Sequence, residues 1–136
     1  MMMRYFLILF LSVVTTYANA DNIEISVSEA RTLITGNAFV IDIRRLEEWK
    51  STGIVPGSVT STFFNKDGTA NLDTFLIDLR EKVSPSHTLL LICRTGRRTK
   101  VAANYLIANT EYKSVYSVSG GITDWKRKGL RTIAYP

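Results

Sequence analysis

The chain is short of the two residues most often used as soft ligands and nucleophiles: of its 136 residues, one is cysteine, Cys93, and one is histidine, His87. A single cysteine excludes an internal disulfide, so the fold rests on its core. One cysteine and one histidine also fall short of a soft-ligand metal set. His87 precedes Cys93 by six positions, across an apolar run. Extended, that run separates them by roughly 20 Å, which excludes a cysteine–histidine dyad. No internal repeat, linker or low-complexity stretch interrupts the chain. That leaves one domain, and a domain of this length buries roughly 65% of the surface its unfolded chain exposes. The balance of 46% apolar to 21% charged residues is an ordinary globular one.

Charge is nearly missing from residues 1–20, where Arg4 is the only charged side chain. Tyr5 to Val14 is almost purely apolar, Thr15, Thr16 and Tyr17 break the run, and Ala18-Asn19-Ala20 offers small residues at a cleavage site. This is the pattern of a secretory signal. A membrane-spanning helix needs about 20 apolar residues, roughly twice what is here. Cleavage after Ala20 is expected, leaving a domain over residues 21–136. Residue 21 is Asp, so there is no lipid-attachment cysteine. The formal net charge is +5. An excess this mild reads first as a solvated surface, and its position along the chain matters more than its size.

Short apolar strands alternate with helical segments, which predicts an α/β domain with a mainly parallel sheet and helices on both faces. Ile23-Glu24-Ile25 predicts a first strand. Ser26 and Glu29 have capping-box spacing, opening a helix to about Thr35 that Gly36-Asn37 ends. Ala38 to Ile43 predicts a buried strand, Arg45 to Lys50 one or two helical turns, and Ser58 to Phe63 another strand after the Val55-Pro56-Gly57 turn. Asn65 to Asn71 reads as a polar loop. Leu72, Phe75, Leu76 and Leu79 recur at helical spacing. Leu89-Leu90-Leu91-Ile92 predicts a strand buried on both faces. Val101, Ala102, Tyr105 and Leu106 mark one face of a following helix to about Ala108. Val115 to Val118 and Ile122 to Lys128 predict a last strand and a last short helix.

Between the apolar strand and the next helix stands Cys93-Arg94-Thr95-Gly96-Arg97-Arg98. Ligands of open α/β sheets bind at this carboxyl edge. A cysteine attacks as thiolate, and a free thiol titrates at about 8.5, so a reactive one needs an environment that favours the anion. A curled loop of N–H groups, a helix N-terminus and three arginines supply one, and Gly96 supplies the backbone freedom of a tight loop. The same features would hold an anionic substrate. Cys93 is therefore read as the nucleophile, with Arg94, Thr95, Gly96, Arg97 and Arg98 as the substrate-binding loop. A buried structural cysteine beside a basic loop is the competing reading.

Cys93 to Thr99, C-R-T-G-R-R-T, resembles the active-site loop of the rhodanese family, whose single-domain members often read C-x-x-G-x-R-S. Val40-Ile41-Asp42-Ile43-Arg44, with Glu47-Glu48-Trp49 after it, is similar to the family's amino-terminal signature. Gly53 to Ser58 resembles its G-H-I-P-G-A turn, and Gly120-Gly121 with Trp125 its carboxyl-terminal G-G-x-x-x-W signature. The likeness runs over about residues 26–133. Ile54 stands where the family often has His, and Ser58 where it has Ala; neither touches the loop.

The resemblance implies a sulfurtransferase, and the signal pattern of residues 1–20 an exported one. Cys93 would take the outer sulfur of thiosulfate or a related small anionic donor as a persulfide, then yield it to cyanide or a thiol, including a protein thiol. Arg94, Arg97 and Arg98 would hold the donor's oxygens, with Arg98 also supporting the loop. Asp42 and Arg44 would lie near the loop base as supporting residues, with Asp42-Arg44-Glu48 as a possible salt-bridge set. No cofactor, metal or nucleic acid is implied, nor a membrane after signal cleavage; the periplasm is the expected compartment, with secretion the alternative. Two other functions bear comparison. A cysteine phosphatase loop reads C-x5-R, and here position six after Cys93 is Thr99, so the loop is one residue short. A non-turnover sulfur carrier would keep the same loop chemistry.

Overall fold

The computed structural model describes residues 22–136; the expected signal segment over residues 1–20 lies outside the described residues. Five strands, β1 (Glu24–Ile25), β2 (Phe39–Asp42), β3 (Val59–Thr60), β4 (Leu89–Ile92) and β5 (Val115–Val118), form one sheet in the order β1-β5-β4-β2-β3. Every ladder is parallel, as the alternation of strands and helices implies. β4 lies at the centre, and its four aliphatic residues are all buried. Leu89 and Leu91 face one layer with Ile41, Phe75, Leu79, Ala102 and Leu106. Leu90 and Ile92 face the other with Val27, Ala30, Ile122 and Trp125. This alternation is the period of two of a strand buried on both sides. It puts α3 (Leu72–Lys82) and α4 (Arg97–Asn109) on one face and α1 (Val27–Thr35) and α5 (Gly121–Arg127) on the other.

α1 begins at the capping box its sequence announces: Glu29 N donates to Ser26 Oγ at 3.1 Å, and Ser26 N to the Glu29 carboxylate at 2.7 Å. Four expectations need correction. The strand expected over Ser58–Phe63 is regular only at Val59–Thr60, although Ser61 N and Phe63 N still bond to the carbonyls of Asp42 and Ile43. α2 (Leu46–Thr52) runs beyond Lys50, ending at Gly53. α4 starts at Arg97, so Arg97 and Arg98 occupy its first turn. Its buried stripe is Thr99, Ala102, Ala103 and Leu106, the i, i+3, i+4, i+7 set. Val101, expected on the core face, points outward and is 56% exposed, because Ala103 takes the core position instead.

Ile54 is buried and bonded to the C-terminal segment through reciprocal N–H···O contacts of 2.8 Å with Ile133. Among the described residues no helix is long and apolar enough to cross a membrane.

Candidate active site

Cys93 follows the last residue of β4, where the chain leaves the sheet and turns into α4. The turn depends on Gly96, the α4 N-cap, which adopts φ +97°. A Cβ there would also meet Gly120 N at 3.2 Å and Val118 O at 3.3 Å. With glycine as the N-cap, no side chain caps the first amides of α4, and that end of the helix stays open to an anion. The loop is clamped from outside by α5: Ile122 N donates to Cys93 O at 2.8 Å and Thr123 N to Arg94 O at 3.1 Å. Gly121 permits the contact, since a Cβ on it would lie 2.3 Å from Cys93 O. Two loop carbonyls are thus occupied by α5.

The Cys93 sulfur is buried at the base of this loop. Gly96 N–H donates to Sγ at 3.1 Å, and Thr99 Oγ1 lies 3.6 Å from it. Thr99 Oγ1 also lies 2.8 Å from Ser117 Oγ, on β5, and donates to Gly96 O at 3.1 Å. Both hydroxyl residues are buried. A cleft of about 680 Å³ opens over the sulfur. Its walls are Arg94 and Thr95 of the loop, Arg97, Arg98 and Val101 of α4, Arg45 and Glu48, and Phe64 to Lys66 with Gly68. The structure therefore gathers Cys93 and the whole expected loop in one place. Gly96 meets the sulfur through its N–H.

Arg98 is not a free cation. Its guanidinium donates Nη1–H to Glu48 Oε2 at 2.8 Å and Nη2–H to Oε1 at 2.7 Å. Burial tends to raise the Glu48 carboxyl, but the bonds from Arg98 and from Arg45 N, with the charges of both arginines, outweigh it and bring it down to about 2. The same pairing raises Arg98. Glu48 therefore does not join Asp42 and Arg44 in one salt-bridge set.

Asp42 and Arg44 form a separate, fully buried pair. The Asp42 carboxylate accepts from Arg44 Nε at 2.9 Å, Arg44 Nη2 at 2.7 Å and Trp49 Nε1 at 3.0 Å. Arg44 also donates to Thr52 Oγ1 at 2.6 Å and Gly53 O at 2.8 Å. Neither residue lines the cleft. Asp42 pairs in register with Ile92, next to Cys93. The pair acts as a brace that fixes α2 and the Gly53 turn to the end of β2.

His87 is exposed in the connection before β4, edge-on to Phe39, and no part of the cleft. Sequence reasoning missed Ser117, Arg45 and the 64–68 wall. Thr99 was legible as the position after the loop, but its contact with β5 was not.

A family model described as a rhodanese-like domain matches residues 26–128. An uncharacterised protein of Rickettsia prowazekii is 34% identical over 107 residues, covering 72% of this chain and 85% of that protein. Thiosulfate sulfurtransferase 18 of Arabidopsis thaliana is 24% identical over 106 residues, 76% of this chain and 77% of that protein. Two solved structures share the fold. Rv0390 of M. tuberculosis has a TM-score of 0.69 at 23% identity, covering 82% of this chain and 97% of its own. The polysulfide-sulfur transferase of Wolinella succinogenes has 0.63 at 23%, covering 84% and 80%.

Proposed function

The chain belongs to the rhodanese-like family, and on that footing we propose that it is a sulfurtransferase that carries sulfane sulfur on Cys93. The observation that carries the reading is the seat of the Cys93 sulfur. It lies at the base of a cleft, takes a hydrogen bond from Gly96 N–H, and has Arg94, Arg97 and Arg98 around its mouth. Cys93 itself is buried, and the cations lining the cleft above it make an electropositive setting for a thiolate.

In the first half-reaction the Cys93 thiolate attacks the outer sulfur of thiosulfate. A bond forms from Sγ to that sulfur, and the sulfur–sulfur bond of the donor breaks. Sulfite leaves with the electron pair, and Cys93 is left as a persulfide anion. In the second, an acceptor thiolate or cyanide attacks the outer sulfur and Cys93 departs as thiolate. Two half-reactions through one covalent intermediate give ping-pong kinetics. Gly96 N–H and the open amides of α4 stabilise anionic sulfur in both steps, and Arg94 and Arg97 hold the donor's oxygens.

Intact mass before and after thiosulfate tests the reading: the protein should gain the mass of one sulfur atom, and Cys93→Ser should gain nothing while keeping a folded spectrum. Loading of Cys93→Ser would mean that another residue is the nucleophile. A carrier that loads once would share the first half-reaction, and the large cleft gives that reading some weight. Steady-state turnover with thiosulfate and cyanide separates the two.

A further inference from the structure

The cleft is far larger than the donor it would load from. Thiosulfate has five heavy atoms, whereas about 680 Å³ is a volume that accommodates ligands of drug size, commonly about 300–1,000 Å³. The surplus space has a definite character. Phe64 and Lys66 line it from the segment after β3, and Arg97 and Val101 line it from α4, where they lie one turn apart. Val101 is a β-branched apolar side chain held outward and 56% exposed. The one acidic side chain lining the cleft, Glu48, is engaged by Arg98. Among the described residues Lys66, Arg94 and Arg97 make no salt bridge, although seven other basic side chains do. Unpaired cations from three segments lining one cleft, with apolar side chains among them, complement a ligand that is anionic at several points and apolar at one.

We propose that this cleft docks the sulfur acceptor, and that the acceptor is a cysteine in an acidic polypeptide segment with an apolar residue beside the thiol. The inference rests on sulfur transfer through Cys93 and adds the class of partner. The segment lies between the 64–68 wall and α4, its carboxylates on Lys66 and Arg97 and its apolar residue against Phe64 and Val101. Its thiolate attacks the outer sulfur of the Cys93 persulfide; the new sulfur–sulfur bond forms on the peptide, and Cys93 leaves as thiolate. No oxidant or reductant is consumed.

The test is single-turnover discharge of protein first loaded with thiosulfate, with loading verified by intact mass. Three acceptors are compared: a short peptide with Asp and Glu around a Leu-Cys pair, the same peptide with Lys for the acids, and 2-mercaptoethanol. Rates are corrected for the thiolate fraction of each acceptor. At low ionic strength the acidic peptide should discharge the persulfide about tenfold faster than the basic one, with the difference collapsing by about 0.5 M salt. Lys66→Glu, and separately Val101→Asp, should cut the acidic peptide's rate several-fold while 2-mercaptoethanol reacts as with the parent. Equal rates for the two peptides, or an acidic preference unchanged in both variants, would overturn the docking proposal and leave sulfur transfer standing. Failure of Cys93 to gain sulfur at the loading step would instead overturn the function, and the docking proposal with it.

Discussion

Arg98 and Glu48, 50 positions apart, form a two-bonded ion pair, Nη1 to Oε2 at 2.8 Å and Nη2 to Oε1 at 2.7 Å. It ties the first turn of α4 to α2, across the mouth of the cleft. The fork of Arg98 is therefore taken up by a carboxylate, and the cations available to a donor on that side are Arg94 and Arg97.

The pair makes stability depend on acid. The Glu48 carboxyl falls from an ordinary 4.5 to about 2 on folding. Its contribution is therefore present in full above about 4.5 and lost as pH falls through about 2. Both groups are partly solvated, so the contribution is about 1 kcal/mol. Glu48→Gln should lower the urea midpoint at neutral pH, and the gap from the parent should narrow steadily below pH 4.5. A gap independent of pH would mean that the ion pair contributes nothing and the variant loses only packing.

Gly121→Ala should disable the loop. The added Cβ would meet Cys93 O at 2.3 Å and Arg94 O at 2.7 Å, on a backbone at φ +54°. Either the α5 amides release the loop or the loop turns. A stability loss of about 2 kcal/mol or more is expected, together with loss of persulfide formation. Parent-like loading would show that the clamp does not set the loop's geometry.

Thr99→Val should slow sulfur loading by roughly tenfold, because it removes, at little change in volume, the hydroxyl 3.6 Å from Sγ, whose single proton can turn from Gly96 O to the thiolate. The hydroxyl of Ser117, buried 2.8 Å away, would also lose its nearest partner. Thr99→Ser keeps both contacts and should recover most of the rate. The readout is single-turnover loading beside thermal unfolding. A slow but fully stable Thr99→Val protein would localise the effect to the sulfur.

Much of the fold was legible because each signal was local. The four-residue Leu89–Ile92 run fits a doubly buried strand, and Ser26 and Glu29 carry their capping box at fixed spacing. The loop was legible for the same reason: cysteine, glycine and arginines lie within six residues. What escaped depends on distant segments. Glu48 meets Arg98 through the packing of α2 beside α4, and Ser117 meets Thr99 through strand order. Val101 was assigned to the core because Val101, Ala102 and Leu106 fit helical spacing as well as Ala102, Ala103 and Leu106 do. The packing of α4 on β4 and β5 decides between them.

Export remains a proposal carried by residues 1–20. Protein recovered from the periplasm or medium of an expressing bacterium should begin at Asp21 by amino-terminal sequencing, as the Ala18-Asn19-Ala20 site requires. A full-length chain held in the membrane fraction would count against it.

The final prediction separates two roles for the loop cations. Arg94 and Arg97 are exposed, line the cleft and form no ion pair among the described residues. Thiosulfate is a dianion, and hydrogen bonds to charged groups contribute about 1.5–3 kcal/mol each. Changing both residues to Ala should therefore lower kcat/KM for thiosulfate by roughly a hundredfold or more. Salt should reproduce part of the loss in the parent, since exposed charges are screened. Discharge of preformed persulfide to a neutral thiol should suffer much less, because that step has no sulfonate to hold. Loading and discharge are measured separately in single turnover. If both steps slow equally, the arginines act on the sulfur anion at Cys93, since that is the one charged group the two half-reactions share. If neither slows, they are solvated surface charge, and donor capture falls to Gly96 N–H and the open amides of α4.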